Sequence, residues 1–325
     1  MAIGVRRLRG YACRMRIIVL LFCIALSGCS VIERAGVRAL ARHTDLPPEQ
    51  ITRDIRYVSR SDSPKHRFDF FQPTGRNWPV LIFIHGGSWT SGDKSLSAGG
   101  EDIYGNIGRF YASRGIGVAV INYRLIPDVN WRTQLDDVAQ AVRAVGTKVR
   151  QAGGDSSRIF LLGHSAGAHL AASVALNPAL RAKHRVPRIA GVIGVSGAAY
   201  DMTDTETYRL GNQVSFYAER FAEDGANPDW QRNASAANYL SSAAPPFLLF
   251  YADGDSASLR RQSQHFHQII QSKGLRSRIV RVPGESHILI VLTLTREDKV
   301  TVPAILDFVS RRGGIDNPVQ KSARD

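Results

Sequence analysis

Residues 159–176, IFLLGHSAGAHLAASVAL, give the strongest indication of the fold. The segment begins as an apolar run, narrows to Gly-His-Ser-Ala-Gly and continues as an alanine-rich stretch with helical spacing. This order predicts a buried strand, a sharp turn and a helix. Side chains two positions before and after the apex of such a turn would collide with it, and glycine at 163 and 167 removes both collisions. We therefore expect Ser165 to project above the carboxyl end of the strand.

A second glycine pair follows another predicted strand, in PVLIFIHGGSWTSGDKS at 79–95. Backbone amides can approach a substrate oxygen closely only where no side chain intervenes. Gly86 and Gly87 are therefore expected to form an oxyanion hole together with the amide of Ala166, which begins the helix after Ser165. His85 is interpreted as a buried brace for this loop and not as a proton carrier.

Strand-like and helix-like segments alternate from about residue 51 onward. The central strands are almost continuous in Val, Ile and Leu, as expected where helices cover both faces of a parallel sheet. The first two strands alternate in polarity, which is typical of an antiparallel edge. Strands are predicted at 55–58, 68–71, 80–84, 117–121, 159–162, 189–195, 247–251 and 278–282. Helices are predicted near 101–114, 133–151, 166–176, 258–273 and 297–311. The fold class is thus α/β.

Residues 197–245 separate two predicted strands by far more than a crossover helix needs. An insertion of that length predicts a small cap over the sheet edge. It carries seven aromatic side chains, which either line a hydrophobic acyl or aryl site or pack the cap onto the sheet. Both interpretations stay open at this point.

Several segments together resemble the α/β-hydrolase superfamily, especially its carboxylesterases with a His-Gly-Gly oxyanion loop. That branch includes feruloyl-type esterases, isoprenylcysteine methylesterases and kynurenine formamidases. The segments are HGGSW (85–89), GDK (92–94), NYRL (122–125), QLDDVAQAV (134–142), GGDSSRIFLLGHSAGAHLAA (153–172) and PGESH (283–287). The resemblance covers about residues 50–312 and implies an α/β-hydrolase fold. Ser88 departs from the common third glycine of the loop, so a donor from that position is in doubt.

In this superfamily the catalytic residues follow the chain order Ser, Asp or Glu, then His. Of three histidines after residue 250, His265 and His267 lie in a surface-helix pattern and are interpreted as solvated or capping residues. His287 follows the last predicted strand, in the loop RVPGESHIL, and is the predicted base.

The acid is expected after the preceding strand, in PFLLFYADGDSAS at 246–258. Asp255 matches the position of the acid in the resembled enzymes, with Asp253 left to cap or brace the turn. The predicted triad is therefore Ser165, Asp255 and His287, and Asp253 remains the alternative acid. Asp136 and Asp137 precede the nucleophile and are interpreted as interacting with the dipole at a helix start.

The N-terminal segment indicates that the protein is exported. Arginines precede an apolar run of ten residues at 17–26, which is too short to span a bilayer and is typical of a secretory signal. Leu-Ser-Gly-Cys at 26–29 resembles the lipobox of bacterial lipoproteins, which implies cleavage before Cys29 and lipid on its sulfur. An ordinary cleaved signal or an uncleaved anchor are the alternatives. Residues 1–28 are thus the predicted signal peptide, 29–50 a tether, 51–315 the hydrolase domain and 316–325 a tail.

Cysteine usage supports lipidation over disulfide formation. Cys13 and Cys23 fall within the predicted signal, so the mature chain would keep Cys29 alone. Ser30 in the next position favours the outer membrane, and we expect a protein that is lipid-anchored in a bacterial cell envelope.

Without the five arginines that precede residue 17, the net charge falls from +14 to +9. No arginine-rich helix or basic stripe with interleaved aromatics suggests nucleic-acid binding.

These observations predict a serine hydrolase that cleaves small carboxylic esters through an acyl-enzyme. An amide hydrolase of the arylformamidase kind and a non-catalytic envelope lipoprotein on the same fold are the alternatives. No cofactor or metal is expected, because the sequence lacks Cys/His clusters with metal spacing and a glycine loop leading into a phosphate-binding lysine.

Overall fold

The computed structural model describes Leu40, residues 43–211, 214–223 and 228–311, and Gly313. Its strands are β1 (Ile51–Arg56), β2 (Arg67–Phe71), β3 (Val80–Ile84), β4 (Ser97–Ala98), β5 (Glu101–Asp102), β6 (Gly117–Ile121), β7 (Ile159–His164), β8 (Ile189–Val195), β9 (Phe247–Ala252) and β10 (Ser277–Val282). Its α-helices are α1 (Ile103–Ala112), α2 (Trp131–Gln151), α3 (Ala166–Leu176), α4 (Pro178–His184), α5 (Thr205–Gly211), α6 (Val214–Phe221), α7 (Trp230–Ala234), α8 (Ala257–Ser272), α9 (Leu289–Leu292) and α10 (Thr301–Ser310).

Eight strands form one sheet in the order β1-β2-β6-β3-β7-β8-β9-β10, and β4 and β5 form a separate hairpin. The β1–β2 and β2–β6 pairs are antiparallel, whereas all pairs from β6 to β10 are parallel. The antiparallel edge and the parallel centre agree with the polarity of the strands in sequence.

Each central strand contributes side chains to two hydrophobic cores, one on each face of the sheet. In β3, Val80, Ile82 and Ile84 join one core, while Leu81 and Phe83 join the other. This alternation follows from the two-residue period of a strand. The first core includes residues of α2, α3 and α8, and the second includes residues of α1 and α10. Helices therefore cover both faces, and the predicted α/β architecture is confirmed.

The segment between β8 and β9 contains α5, α6, α7 and a 3-10 helix at Ala236–Tyr239. Three of its seven aromatic residues, Tyr200, Tyr217 and Phe221, are each no more than 2% exposed, and the other four are partly buried against the same core. Tyr200 stacks on Phe266 of α8 with ring centroids 4.5 Å apart. Of the two interpretations left open by the sequence, packing accounts for these buried rings.

Helix α2 begins earlier than predicted, at Trp131, and the Asn130 side chain caps it by accepting from the Thr133 amide. The interpretation of Asp136 and Asp137 as residues at a helix start is therefore wrong, because both lie in the second turn.

The predicted signal peptide 1–28, Cys29 and the tail 316–325 lie outside the described residues, as does most of the tether 29–50. Within the described ranges, none of the helices has both the length and the apolar character needed to cross a membrane.

Candidate active site

Four loops that follow parallel strands meet at one edge of the sheet. Ser165 follows β7, Gly86 follows β3, Asp255 follows β9 and His287 follows β10. The carboxyl ends of parallel strands share one edge, which is the usual place for a functional site in an open α/β sheet.

Ser165 occupies the predicted sharp turn between β7 and α3, with φ 54° and ψ −119°. A non-glycine residue in this region carries strain of about 1–3 kcal/mol, which the surroundings must hold in place. The Ser165 amide donates to Val195 O at 3.0 Å. A Cβ at position 163 would lie 2.3 Å from Gly167 O, and one at 167 would lie 2.1 Å from Ile84 O. Both glycines are therefore required by close backbone approach.

His287 and Asp255 form a hydrogen-bonded pair. His287 Nδ1 donates to Asp255 Oδ1 at 2.8 Å, which leaves Nε2 as the ring nitrogen free to act as a base. Asp255 is 2% exposed, and its second oxygen accepts from Ser196 Oγ at 2.7 Å and from the Ala252 amide at 2.8 Å. Burial alone would raise the pKa of Asp255, but these hydrogen bonds outweigh it and hold the pKa below its usual value.

Asp253, the alternative acid, points elsewhere. Its carboxylate forms a two-pronged ion pair with Arg281, at 2.5 and 3.0 Å, on the protein surface. The Arg281 guanidinium holds the pKa of Asp253 below its usual value. Of the two aspartates, the structure brings Asp255 to the histidine, while the catalytic roles themselves stay predictions.

His164 links the turn at Ser165 to the loop that carries His287. It lies next to Ser165 in the chain, and its Nε2 donates to the backbone oxygen of His287 at 2.9 Å. The two imidazole rings lie 4.8 Å apart. Burial lowers the pKa of His164 to about 3, and the neighbouring His287 adds to this, so the ring is a neutral donor. Among the described residues no hydrogen bond joins Ser165 Oγ to His287.

The predicted oxyanion loop lies directly against Ser165. A Cβ at Gly86 would come within 3.1 Å of Ser165 Cβ, and Gly87 adopts φ +116°, where a side chain is strained. In the ranges that the structure describes, the amides of Gly86 and Gly87 donate to no protein acceptor. Ala166 is the first residue of α3, where helical amides lack an internal partner. The arrangement presents unengaged donors beside Ser165.

The buried His85 side chain stabilises this loop. Its ring stacks on Tyr123 with centroids 4.4 Å apart, and Nδ1 donates to Gly86 O at 2.7 Å. Burial lowers its pKa to about 4. These contacts agree with the interpretation of His85 as a brace.

Asp136 and Asp137 act away from the reacting centre. Asp137 is fully buried and accepts from the Arg124 guanidinium at 2.7 and 2.8 Å and from His66 Nε2 at 3.2 Å. Asp136 pairs with Lys183 and His184 of α4. Asp137 thereby holds Arg124, the residue after Tyr123, against α2. Asp136 connects α2 to α4 through its ion pairs.

The two other late histidines, His265 and His267, make polar contacts with residues other than Asp255 and Ser165. His265 Nε2 lies 3.1 Å from Asp201 Oδ2, and His267 Nδ1 lies 2.7 Å from Ser277 Oγ. Within the described residues, no group of three His, Cys, Asp or Glu side chains could hold a metal ion.

Ser196 is a site residue that sequence reasoning missed. It is fully buried, follows β8 directly and has φ 46°. A serine after a strand has no sequence signal that would identify a partner 59 residues away. Its hydroxyl donates to Asp255, so it orients the carboxylate that in turn orients His287.

Replacing Ser196 by alanine is expected to lower kcat about tenfold. The loss corresponds to about 1.4 kcal/mol, within the range for a hydrogen bond to a charged group. Steady-state kinetics on a short ester measures this. Ser263→Ala is the matched control, since Ser263 is also buried but its hydroxyl has no partner. Equal rates for Ser196→Ala and the wild type would contradict the role.

Comparisons with known proteins place the chain among esterase-related sequences. The model of the BD-FAE family matches residues 68–270, more than half of the chain. The isoprenylcysteine alpha-carbonyl methylesterase ICME of Arabidopsis thaliana is 28% identical over 252 residues, 74% of this chain and 57% of the relative. The kynurenine formamidase of Danio rerio is 25% identical over 282 residues, 86% of this chain and 90% of the relative. The chain thus spans little more than half the length of the plant relative.

Solved structures show the same fold. An inhibited esterase B from Lactobacillus rhamnosis superposes with a TM-score of 0.69 at 23% identity, over 86% of this chain and 92% of the other. Together with the sheet order, this likeness confirms the predicted α/β-hydrolase fold.

Proposed function

The chain belongs to the BD-FAE family, and on that premise we propose that it is a serine carboxylesterase acting through an acyl-enzyme. The observation that carries the proposal is the 2.8 Å hydrogen bond between His287 and the buried Asp255, at the same sheet edge as the strained Ser165. A buried carboxylate that orients an imidazole next to a projecting hydroxyl is the arrangement of an activated nucleophile.

In the proposed reaction, His287 Nε2 accepts the proton of Ser165 as the serine oxygen attacks the ester carbonyl. Asp255 holds the ring with Nδ1 protonated and stabilises the imidazolium that forms. The amides of Gly86, Gly87 and Ala166 bind the oxyanion. The carbon–oxygen bond to the alcohol then breaks, and the alcohol leaves with the proton from His287. Water attacks the acyl-enzyme by the same path and releases the carboxylic acid.

An amide hydrolase is the second candidate. Its support is the similarity to the zebrafish kynurenine formamidase, which extends over 90% of that relative. The same three residues would serve both reactions, because they differ only in the leaving group. Binding without catalysis is the third alternative, in which the fold serves as a scaffold.

A fluorophosphonate probe with mass mapping of the labelled peptide tests the proposal most directly. We expect one label, on Ser165, in the wild type and none in Ser165→Ala. Hydrolysis of short p-nitrophenyl esters that exceeds turnover of N-formylkynurenine would favour the esterase, and the reverse would favour the amidase. A folded protein that takes no label and turns over neither substrate would leave the scaffold alternative.

We also propose that lipid on Cys29 anchors the protein to a bacterial membrane, with a small-molecule ester as the substrate. The support is the lipobox-like 26–29 after an apolar run, and the absence of a partner cysteine from the mature sequence. Several acyl chains on one residue would hold the protein firmly. Cys29→Ala is expected to move the protein out of the membrane fraction, and persistence there would refute lipidation.

A further inference from the structure

The backbone carbonyls of residues 85–89, the oxyanion loop, each accept a hydrogen bond. Four of the five are held by the hydrolase domain outside the cap: His85 O by Tyr123 Oη (2.9 Å), Gly86 O by His85 Nδ1 (2.7 Å), Gly87 O by the Ser91 amide (2.9 Å), and Trp89 O by the Ile126 amide (3.0 Å) and Gln134 Nε2 (2.7 Å). The fifth, Ser88 O, accepts from Arg220 Nε at 3.1 Å. Arg220 belongs to α6 of the cap, 132 residues away.

The carbonyl held by the cap lies where the loop is most strained. Ser88 has φ 54° and Trp89 has φ 64°, and neither is glycine. Such a conformation costs about 1–2 kcal/mol per residue and persists only when contacts hold it. Ser88 is also the residue that replaces the common third glycine. A donor to Ser88 O therefore stabilises the strained part of the loop.

Arg220 is held in place before it reaches Ser88. Its Nη1 donates to Phe216 O at 2.6 Å, one turn earlier in α6, and its guanidinium carbon lies 3.7 Å from the centre of the Phe216 ring. The side chain is 15% exposed. A guanidinium restrained at two points presents Nε in a fixed direction, so little entropy is lost on bonding to Ser88.

Helix α6 is in turn fixed to the same loop. Phe221 is fully buried and meets the Trp89 ring edge-on with centroids 4.9 Å apart. Trp89 Nε1 donates to His169 Nδ1 of α3, the helix that begins after Ser165. Helix α6 therefore contacts two consecutive loop residues, one through its arginine and one through its phenylalanine.

From these contacts we propose that Arg220 is a positioning residue that couples the cap to the oxyanion loop and keeps the Gly86 and Gly87 amides directed at the reacting carbonyl. The inference rests on the proposed esterase function for its catalytic consequence. The positioning itself is a property of the folded chain and can be measured without a substrate.

Kinetics test the consequence. Arg220→Gln is expected to lower kcat about 10- to 100-fold on a neutral short ester, with KM within about threefold, because the oxyanion hole acts in the transition state. Arg220→Lys keeps the charge without the planar fork and should recover part of the loss. Added guanidinium ion should restore Arg220→Ala at least in part. Arg209→Gln is the matched control, as Arg209 is a largely exposed cap arginine paired with Glu206.

Hydrogen exchange tests the positioning directly. The amides of Thr90 and Ser91 donate to Gly87 O, so a loosened loop should exchange them at least about tenfold faster in Arg220→Gln and not in Arg209→Gln. Unchanged exchange in the loop, or a kcat within twofold of the wild type in a folded Arg220→Gln protein, would overturn the proposal. If the wild type hydrolyses no ester, the proposed function fails, and the exchange result alone decides the role of Arg220.

Discussion

Asp255→Asn is expected to lower kcat/KM by about 10⁴-fold, whereas Asp253→Asn should change it by less than about threefold. The asparagine cannot stabilise the imidazolium, and its amide favours the wrong tautomer of His287. The Asp253 carboxylate pairs with Arg281 and accepts from the Gly284 amide, but it makes no contact with the His287 ring, which Asp255 holds. The two residues lie on one turn of the chain, which makes each a control for the other.

Hydrolysis of a p-nitrophenyl ester by the two purified variants measures this difference. Thermal melting of both should accompany the kinetics, because Asp255 also accepts hydrogen bonds from Ser196 and the Ala252 amide. A folded Asp255→Asn enzyme with nearly full activity, beside an inactive Asp253→Asn enzyme, would reverse the assignment of the acid.

Stability is expected to fall steeply as the pH falls from about 6.5 towards 4. Burial lowers the pKa of His85 and His169 to about 4 and that of His164 to about 3. In the unfolded chain each would titrate near 6.5. The unfolded state therefore binds more protons than the folded state in this interval. The stability that follows from keeping these histidines neutral is complete above pH 6.5 and is lost as the pH falls towards their folded-state pKa values. Half-buried His267, whose pKa burial also lowers, acts in the same direction.

Each proton taken up on unfolding contributes about 1.4 kcal/mol per pH unit, so the three fully buried histidines give a slope of up to about 4 kcal/mol per pH unit. Urea denaturation between pH 4.5 and 8 measures the free energy of unfolding. His169→Gln should reduce the slope by about one proton, whatever it does to stability at pH 8. A free energy of unfolding that stays constant from pH 7 to 5 would contradict the prediction. Carboxyl groups with lowered pKa, such as Asp255, act at lower pH and do not obscure it.

The hydrogen-bond partners of the buried histidines could not be predicted from neighbouring residues in the sequence. His164 and His169 lie on either side of Ser165 in the chain, yet each donates to a backbone oxygen more than 60 residues away, His164 to His287 and His169 to Ala234. The sequence suggested a bracing role for His85 alone, because it adjoins the glycine pair. The other two have no such local marker.

Local sequence patterns were enough to predict the order and type of the main elements. Residues 80–84, 117–121, 166–176 and 189–195 were predicted with the bounds that the structure has, because apolar runs between glycine turns encode a buried strand or helix over a few residues. The glycines at 163 and 167 likewise carried a local steric requirement that the backbone confirms. For α2, hydrophobic periodicity predicted a start at residue 133, two residues too late. The helix begins at Trp131 because the Asn130 side chain accepts a hydrogen bond from the Thr133 amide at its N-terminus.

Which polar groups form hydrogen bonds with each other depends on the folded arrangement and could not be predicted from local patterns. Asp253 and Asp255 are equivalent in local pattern, and only the position of the next loop turns one towards His287 and the other towards Arg281. Ser196 and Arg220 have no motif at all, since their partners come from other strands and from the cap. Periodicity and turn chemistry act over a few residues, whereas a hydrogen bond between distant elements depends on where the whole fold places both ends.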